Sequence, residues 1–191
     1  MSDREEIKEG YTRVTEILKP WSDFSKIMEK VLENKRQIGC RLHNAIHMYN
    51  ECLPMDIDDS IRGYFESFLR WMKQTQATIM FSEKRFYDND WMITGCIDSV
   101  VRFPNEREAV SVDWKTVASL TKEGKISWGY QGAFYHYLME KNGVPELGDR
   151  YLFLQLDKNG GLPLVREYEY SNKIMGECET LLKAYRLYNP L

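Results

Sequence analysis

The sequence predicts an α/β fold, with a mixed central β-sheet flanked by α-helices. Two observations predict it. Apolar periodicity switches along the chain in the order α-α-β-β-β-α-β-β-α, and the helices fall on both sides of a run of three strands. The length allows it: 191 residues, 43% of them hydrophobic, suffice for one core-forming domain spanning 1–191, with no disulfides needed.

Each element has a local cause. A short helical or turn segment at 15–18 meets Pro20. Phe24, Ile27, Met28, Val31 and Leu32 form a helical stripe, which resumes at Leu42, Ala45, Ile46 and Tyr49 and stops before Pro54. Asp58, Asp59 and Ser60 offer N-caps for a second helix, whose apolar face holds Ile61, Tyr64, Phe65, Phe68, Leu69 and Met72. Strands are predicted over 78–87, 91–102 and 108–114, separated by Asp88-Asn89-Asp90 and by Pro104-Asn105. A helix over 127–141 has Trp128, Phe134 and Leu138 as core. Strands over 151–156 and 164–170 flank Asn159-Gly160-Gly161, a hairpin signal. Ser171 caps a last helix carrying Ile174, Met175, Cys178, Leu181, Leu182 and Tyr185.

Composition excludes several function classes. No apolar run reaches about 18 residues, so no membrane span is expected. The charged start is unlike a secretory signal, so a cytoplasmic location, in a bacterial or phage-infected cell, is the expectation. Cys40, Cys52, Cys96 and Cys178 contain no C-x-x-C pair, which argues against a zinc ribbon, and no iron–sulfur cluster is expected. The net charge of −3 argues against coating nucleic acid by bulk charge.

The chemistry-bearing residues are few. Asp113 and Lys115 close an apolar strand two residues apart, so they share a face. The carboxylate can hold a divalent cation, and the ammonium can orient a water or stabilise charge on a phosphate. Asp98 lies inside the apolar run of the preceding strand, in Gly95-Cys96-Ile97-Asp98. Burying it is costly unless it is paired or holds a metal, and an antiparallel pairing would bring it near Asp113. His43 lies four residues after Gly39, with His47 one turn on. An imidazole pair on one helix face is conceivable, and a metal hydrolase using both histidines is one alternative. Gln131 and Tyr135 share a helix face and are candidates for contact with a nucleic-acid backbone or base.

Taken in order, Gly39-x-x-x-His43, Gly95-x-x-Asp98, Asp113-x-Lys115 and Gln131-x-x-x-Tyr135 resemble the RecB-type branch of the PD-(D/E)XK nuclease superfamily. The similarity covers roughly residues 14–156 and extends to the opening Val14-Thr15-Glu16-Ile17-Leu18, which is similar to small phage and mitochondrial members. It implies a restriction-endonuclease-like core. It implies that His43, Asp98, Asp113 and the Trp114 backbone carbonyl are metal ligands, with Glu83 matching a further acidic position. Lys115 would be the catalytic lysine, and Gln131 and Tyr135 would organise the site or hold the DNA. The implied cofactor is Mg²⁺ or Mn²⁺, and the implied reaction is phosphodiester hydrolysis by a metal-activated water. With no Walker motif present, a stand-alone exonuclease acting on single strands or DNA ends in recombination, repair or phage DNA processing is the expected analogue, with a homo-oligomer or a recombination partner protein as possible company. The alternative is a catalytically silent nuclease fold that binds DNA or protein.

DNA-binding candidates are Lys26, Lys30, Lys35, Arg36 and Arg41 ahead of His43, and Lys122 and Lys125 after the lysine motif. The charge of −3 then takes another meaning. Residues 81–140, which hold Glu83, Asp98 and Asp113, are the most acidic stretch, as a cation site requires.

Overall fold

Strand-forming and helix-forming stretches alternate as the apolar pattern demands. The computed structural model describes residues 7–21 and 29–189. Its elements are β1 Thr12–Arg13, α1 Val14–Ile17, a 3₁₀ turn at Lys19–Trp21, α2 Glu29–Asn50, α3 Asp59–Thr75, β2 Thr78–Asp88, β3 Ile93–Arg102, β4 Ala109–Thr116, α4 Ile126–Lys141, β5 Leu147–Leu156, β6 Leu164–Glu169 and α5 Asn172–Tyr188. The two predicted caps form: the Asp58 side chain accepts from the Ser60 N–H, and Ser171 from the Ile174 N–H.

The six strands make one mixed sheet. β2 runs antiparallel along one edge of β3; the other edge takes β1, parallel, and β4, antiparallel. β4 pairs parallel with β5 through the crossover helix α4, and β5 pairs antiparallel with β6. One core packs α1, α4 and α5 on the sheet around Phe86, Ile97, Phe134 and Leu138. A second packs α2 and α3 on the opposite face around Leu42, Ile46, Phe68 and Trp114.

Three local expectations change. The stripes at 31–32 and 42–49 do lie on one 22-residue helix, as expected. Within it Val31 is 39% exposed, because the first half of α2 runs past the core; Phe24, Ile27 and Met28 lie outside the described residues. Pro20 sits inside the 3₁₀ turn rather than ending the segment. β5 starts at Leu147, since Leu147 already pairs with Ala109.

The register of β3 and β4 opens the sheet where the chemistry-bearing residues gather. Their backbone pairing runs from Arg102↔Ala109 to Ser99↔Val112. Beyond Val112 the backbone groups of β4 that face away from β5 are met by side chains. The Trp114 N–H donates to Asp98 Oδ2 at 3.0 Å, and the Trp114 carbonyl lies 2.9 Å from His43 Nε2. A buried backbone group must find a partner, so this opening recruits a carboxylate and an imidazole.

Candidate active site

Five elements supply the site. His43 comes from α2, Glu83 from β2, Asp98 from β3, Asp113 and Lys115 from β4, and Gln131 and Tyr135 from α4. All seven line one cleft of about 1770 Å³.

His43 is held by its acceptor. A carbonyl oxygen can only accept, so the contact to Trp114 puts a hydrogen on Nε2. Nδ1 then points at two carboxylates, 3.2 Å from Glu83 Oε1 and 3.4 Å from Asp98 Oδ1. A lone pair aimed at two anions is unfavourable; a proton or a cation between them resolves it. Burial works against a charged ring, yet Asp98 and Glu83 outweigh it and hold the His43 pKa up to about 10. Burial, then the Asp113 charge, push the Asp98 carboxyl upward against the pull of His43. Burial also opposes charge on Glu83, but His43 beside it keeps that carboxyl below its ordinary range.

Glu83 reaches this position through an unusual backbone. Its φ is +50°, left-handed in the middle of a strand, a conformation that costs on the order of 1–3 kcal/mol for a non-glycine residue. The β2–β3 register is the same at Ser82 and Lys84, the residues flanking it.

Asp113 heads a second chain of contacts. Its Oδ1 accepts from Gln131 Nε2 at 2.8 Å, and Gln131 Oε1 accepts from Lys115 Nζ at 3.3 Å. Lys115 Nζ is 2.6 Å from Asp113 Oδ2, off the directions in which a hydrogen bond forms, so this buried oxygen has an ion-pair neighbour but no hydrogen-bond partner. The ammonium also lies 5.2 Å from the Phe153 ring centroid. Gln131 thus uses both ends of its amide to fix the acid and the lysine.

Tyr135 is 6% exposed and packs against Gly95. A Cβ on Gly95 would lie 2.7 Å from the Tyr135 ring, so the glycine of the Gly-x-x-Asp motif admits the tyrosine. Burial, then Asp113 and Asp98, raise the phenol well above its ordinary value, so it remains a neutral hydroxyl under the carboxylates. By contrast, a Cβ on Gly39 would meet only ordinary contact with Thr116 Oγ1.

The residues expected to act together divide into two groups. Ligand atoms of His43, Glu83 and Asp98 lie within 4.8 Å of one another. Asp113 stands beside this group, engaged with Lys115 and Gln131, while the Trp114 carbonyl serves His43. Two carboxylates, one imidazole nitrogen and crowded negative charge fit a divalent cation. His47 lines the same cleft, but its Nδ1 is 2.8 Å from Ser82 Oγ and it is not a member of the His43, Glu83 and Asp98 group.

The expected DNA-binding cations scatter. Arg36 and Lys125 line the cleft, Lys125 lying 5.6 Å from the Trp128 ring centroid. Arg41 is engaged by Asp58 at 2.9 Å. Lys30, Lys35 and Lys122 are exposed and away from the cleft lining, and Lys26 lies outside the described residues. Sequence reasoning missed Arg13, Lys19, Lys84 and Arg85, which do line the cleft. Arg85 comes two residues after Glu83, and that spacing was the available signal.

Among the described residues, no helix is long and apolar enough to cross a membrane. No family model matches the chain, and no curated protein matches it in sequence. Solved structures do match. A presumed exonuclease from Eubacterium rectale has 14% identity and a TM-score of 0.59, over 96% of this chain and 82% of that one. LHK-Exo, an alkaline exonuclease from Laribacter hongkongensis, has 11% identity and a TM-score of 0.51, over 94% and 87%. A second LHK-Exo structure, in complex with dAMP, matches with 13% identity and the same TM-score and coverage. At these identities the likeness is one of fold: the chain has a mixed sheet flanked by helices, as these exonuclease structures do.

Proposed function

We propose that this protein is a Mg²⁺- or Mn²⁺-dependent deoxyribonuclease, an exonuclease acting on single strands or DNA ends. The observation that carries the reading is the convergence of His43, Glu83 and Asp98 within 4.8 Å beside the Asp113–Lys115–Gln131 chain. The fold likeness to exonucleases supports it.

In this reading His43, Glu83 and Asp98 hold the cation and Asp113 closes the cluster. The ion would supply Lewis-acid polarisation of a phosphoryl oxygen. The Trp114 carbonyl keeps His43 in the tautomer that presents Nδ1 to the ion. Lys115 orients the attacking water and stabilises the charge that develops on the phosphate. Gln131 holds Lys115 and Asp113 in register, and the buried Tyr135 hydroxyl supports them from below without adding charge. Such hydrolysis would serve recombination, repair or phage DNA processing.

Labelled single- and double-stranded DNA incubated with Mg²⁺, Mn²⁺ or EDTA tests this. Cleavage should require the metal and fall by at least about 100-fold in Asp113→Ala. Cleavage that persists in EDTA, or is undiminished in the variant, rejects the reading.

A further inference from the structure

We propose that Arg85 forms a phosphate subsite one step from the metal-binding cluster, gripping a phosphate of the substrate strand next to the one that is cut. The inference rests on the nuclease function proposed for the cleft.

Arg85 is a half-buried guanidinium lining the cleft. Its register partner is Cys96, whose Sγ lies 3.7 Å from Glu83 Oε2, so the arginine follows the carboxylate group along β2, with its guanidinium on the side toward Thr94. Its Cα stands two positions along β2 from that of Glu83, at most about 7 Å away, and the guanidinium reaches beyond that to Thr94.

Arg85 is not used up by the protein. The other arginines near the cleft pair with acids: Arg13 with Glu16 at 3.3 Å and Arg36 with Glu33 at 3.7 Å. Among the described residues no carboxylate lies in ion-pair range of Arg85. Among the described residues its one side-chain hydrogen bond, 3.5 Å from Nη1 to Thr94 Oγ1, is long and goes to a neutral oxygen. Thr94 donates its own hydroxyl hydrogen to the Phe86 carbonyl at 2.8 Å, which leaves its oxygen free to steady the guanidinium. Four donors therefore remain for an anion. Keeping a half-buried cation without an acid partner is costly, and a planar fork beside a metal site is suited to a bidentate phosphate.

The position also separates labour. Glu83 and Asp98 repel a phosphate until a cation neutralises them. Arg85 attracts a phosphate whether or not the cation is present. The shared ligand chemistry is a pair of phosphate oxygens, which a terminal monoester or an internal diester can provide.

The test compares the native protein with Arg85→Met and Arg85→Lys. Substrates are short single strands ending in phosphate or hydroxyl at either terminus, and one strand with a neutral methylphosphonate at the link beside the cut. With Mn²⁺, Arg85→Met should raise KM at least tenfold, by more than it lowers kcat, and Arg85→Lys should recover part of the loss. If the ligand is a terminal phosphate, the native protein prefers that end and the variant loses the preference. If it is an internal diester, the methylphosphonate weakens binding to the native protein and not to Arg85→Met. An unchanged KM on every substrate, or a defect confined to kcat, overturns the subsite. Binding of a fluorescent phosphorylated trinucleotide in EDTA separates this from the nuclease reading. If no DNA is cleaved, the nuclease reading fails. The subsite is then upheld by at least fivefold weaker binding in Arg85→Met and overturned by equal binding.

Discussion

Two faces of one strand, a single residue apart, are built on opposite terms. On β4 the Trp114 side chain is 1% exposed, set edge-on against Phe68 and Trp71 with centroids 5.2 and 5.4 Å away, its indole N–H donating to Ser99 at 2.9 Å. Its neighbours Asp113 and Lys115 turn to the other side, where three carboxylates, an imidazole and an ammonium crowd the cleft. One face is satisfied without any ligand. The other is left with crowded carboxylates and a strained backbone at Glu83. The difference teaches that stability and chemistry are separated across the end of this one strand: its apolar face anchors residues whose opposite face is electrostatically stressed.

Substitutions can break that contrast. The largest effect should come from Trp114→Ala, which removes the aromatic anchor. Unfolding free energy should fall by about 3–5 kcal/mol, read by denaturant titration. Lys115→Met comes next and should do the reverse. Cleavage should drop by about 10²–10³, roughly 3–4 kcal/mol of transition-state stabilisation, with a smaller loss of stability than in Trp114→Ala. Equal stability losses in both variants would erase the distinction.

Asp98→Asn sharpens it further. The carboxylate is disfavoured by burial and by Asp113, so its removal relieves crowding. In EDTA at pH 8 the variant should be more stable than the native protein, by on the order of 1 kcal/mol. Added Mn²⁺ should raise the melting temperature of the native protein and not that of the variant. A less stable variant in EDTA would show that Asp98 supports the fold without a metal.

The smallest effect lies away from the cleft. His136 on α4 is buried, stacked on Tyr170 at 3.9 Å, and Nδ1 has no hydrogen-bond partner. Burial lowers its pKa below 6.5, against the pull of Glu140 and Asp149. The unfolded chain then binds the proton more readily than the folded one. Stability is complete above pH 6.5 and is lost as pH falls through the lower folded value. His136→Phe should flatten the stability profile below pH 6.5, by no more than about 1.4 kcal/mol per pH unit.

Much of this was legible in residue spacing. The N-caps at Asp58 and Ser171, the strands of the sheet, and the closeness of Asp113 to Lys115 all depend on neighbours within a few residues. The approach of Asp98 to Asp113 came from a short antiparallel connection. The stripe through Val31 misled because helical periodicity says which residues share a face, not whether a partner covers it.

By itself, then, the sequence determined the order of elements, the caps, the acid-and-lysine strand end and the acidity of the middle segment, because these rest on local periodicity and composition. Only the tertiary structure decided that Glu83 joins His43 and Asp98, and that Arg85 lines the same cleft. It alone placed Gln131 as the bridge between Asp113 and Lys115. Those choices depend on where β3 and β4 part, on one left-handed residue in β2, and on how α2 and α4 lie across the sheet. These are relations between segments far apart in the chain, and packing sets them rather than spacing.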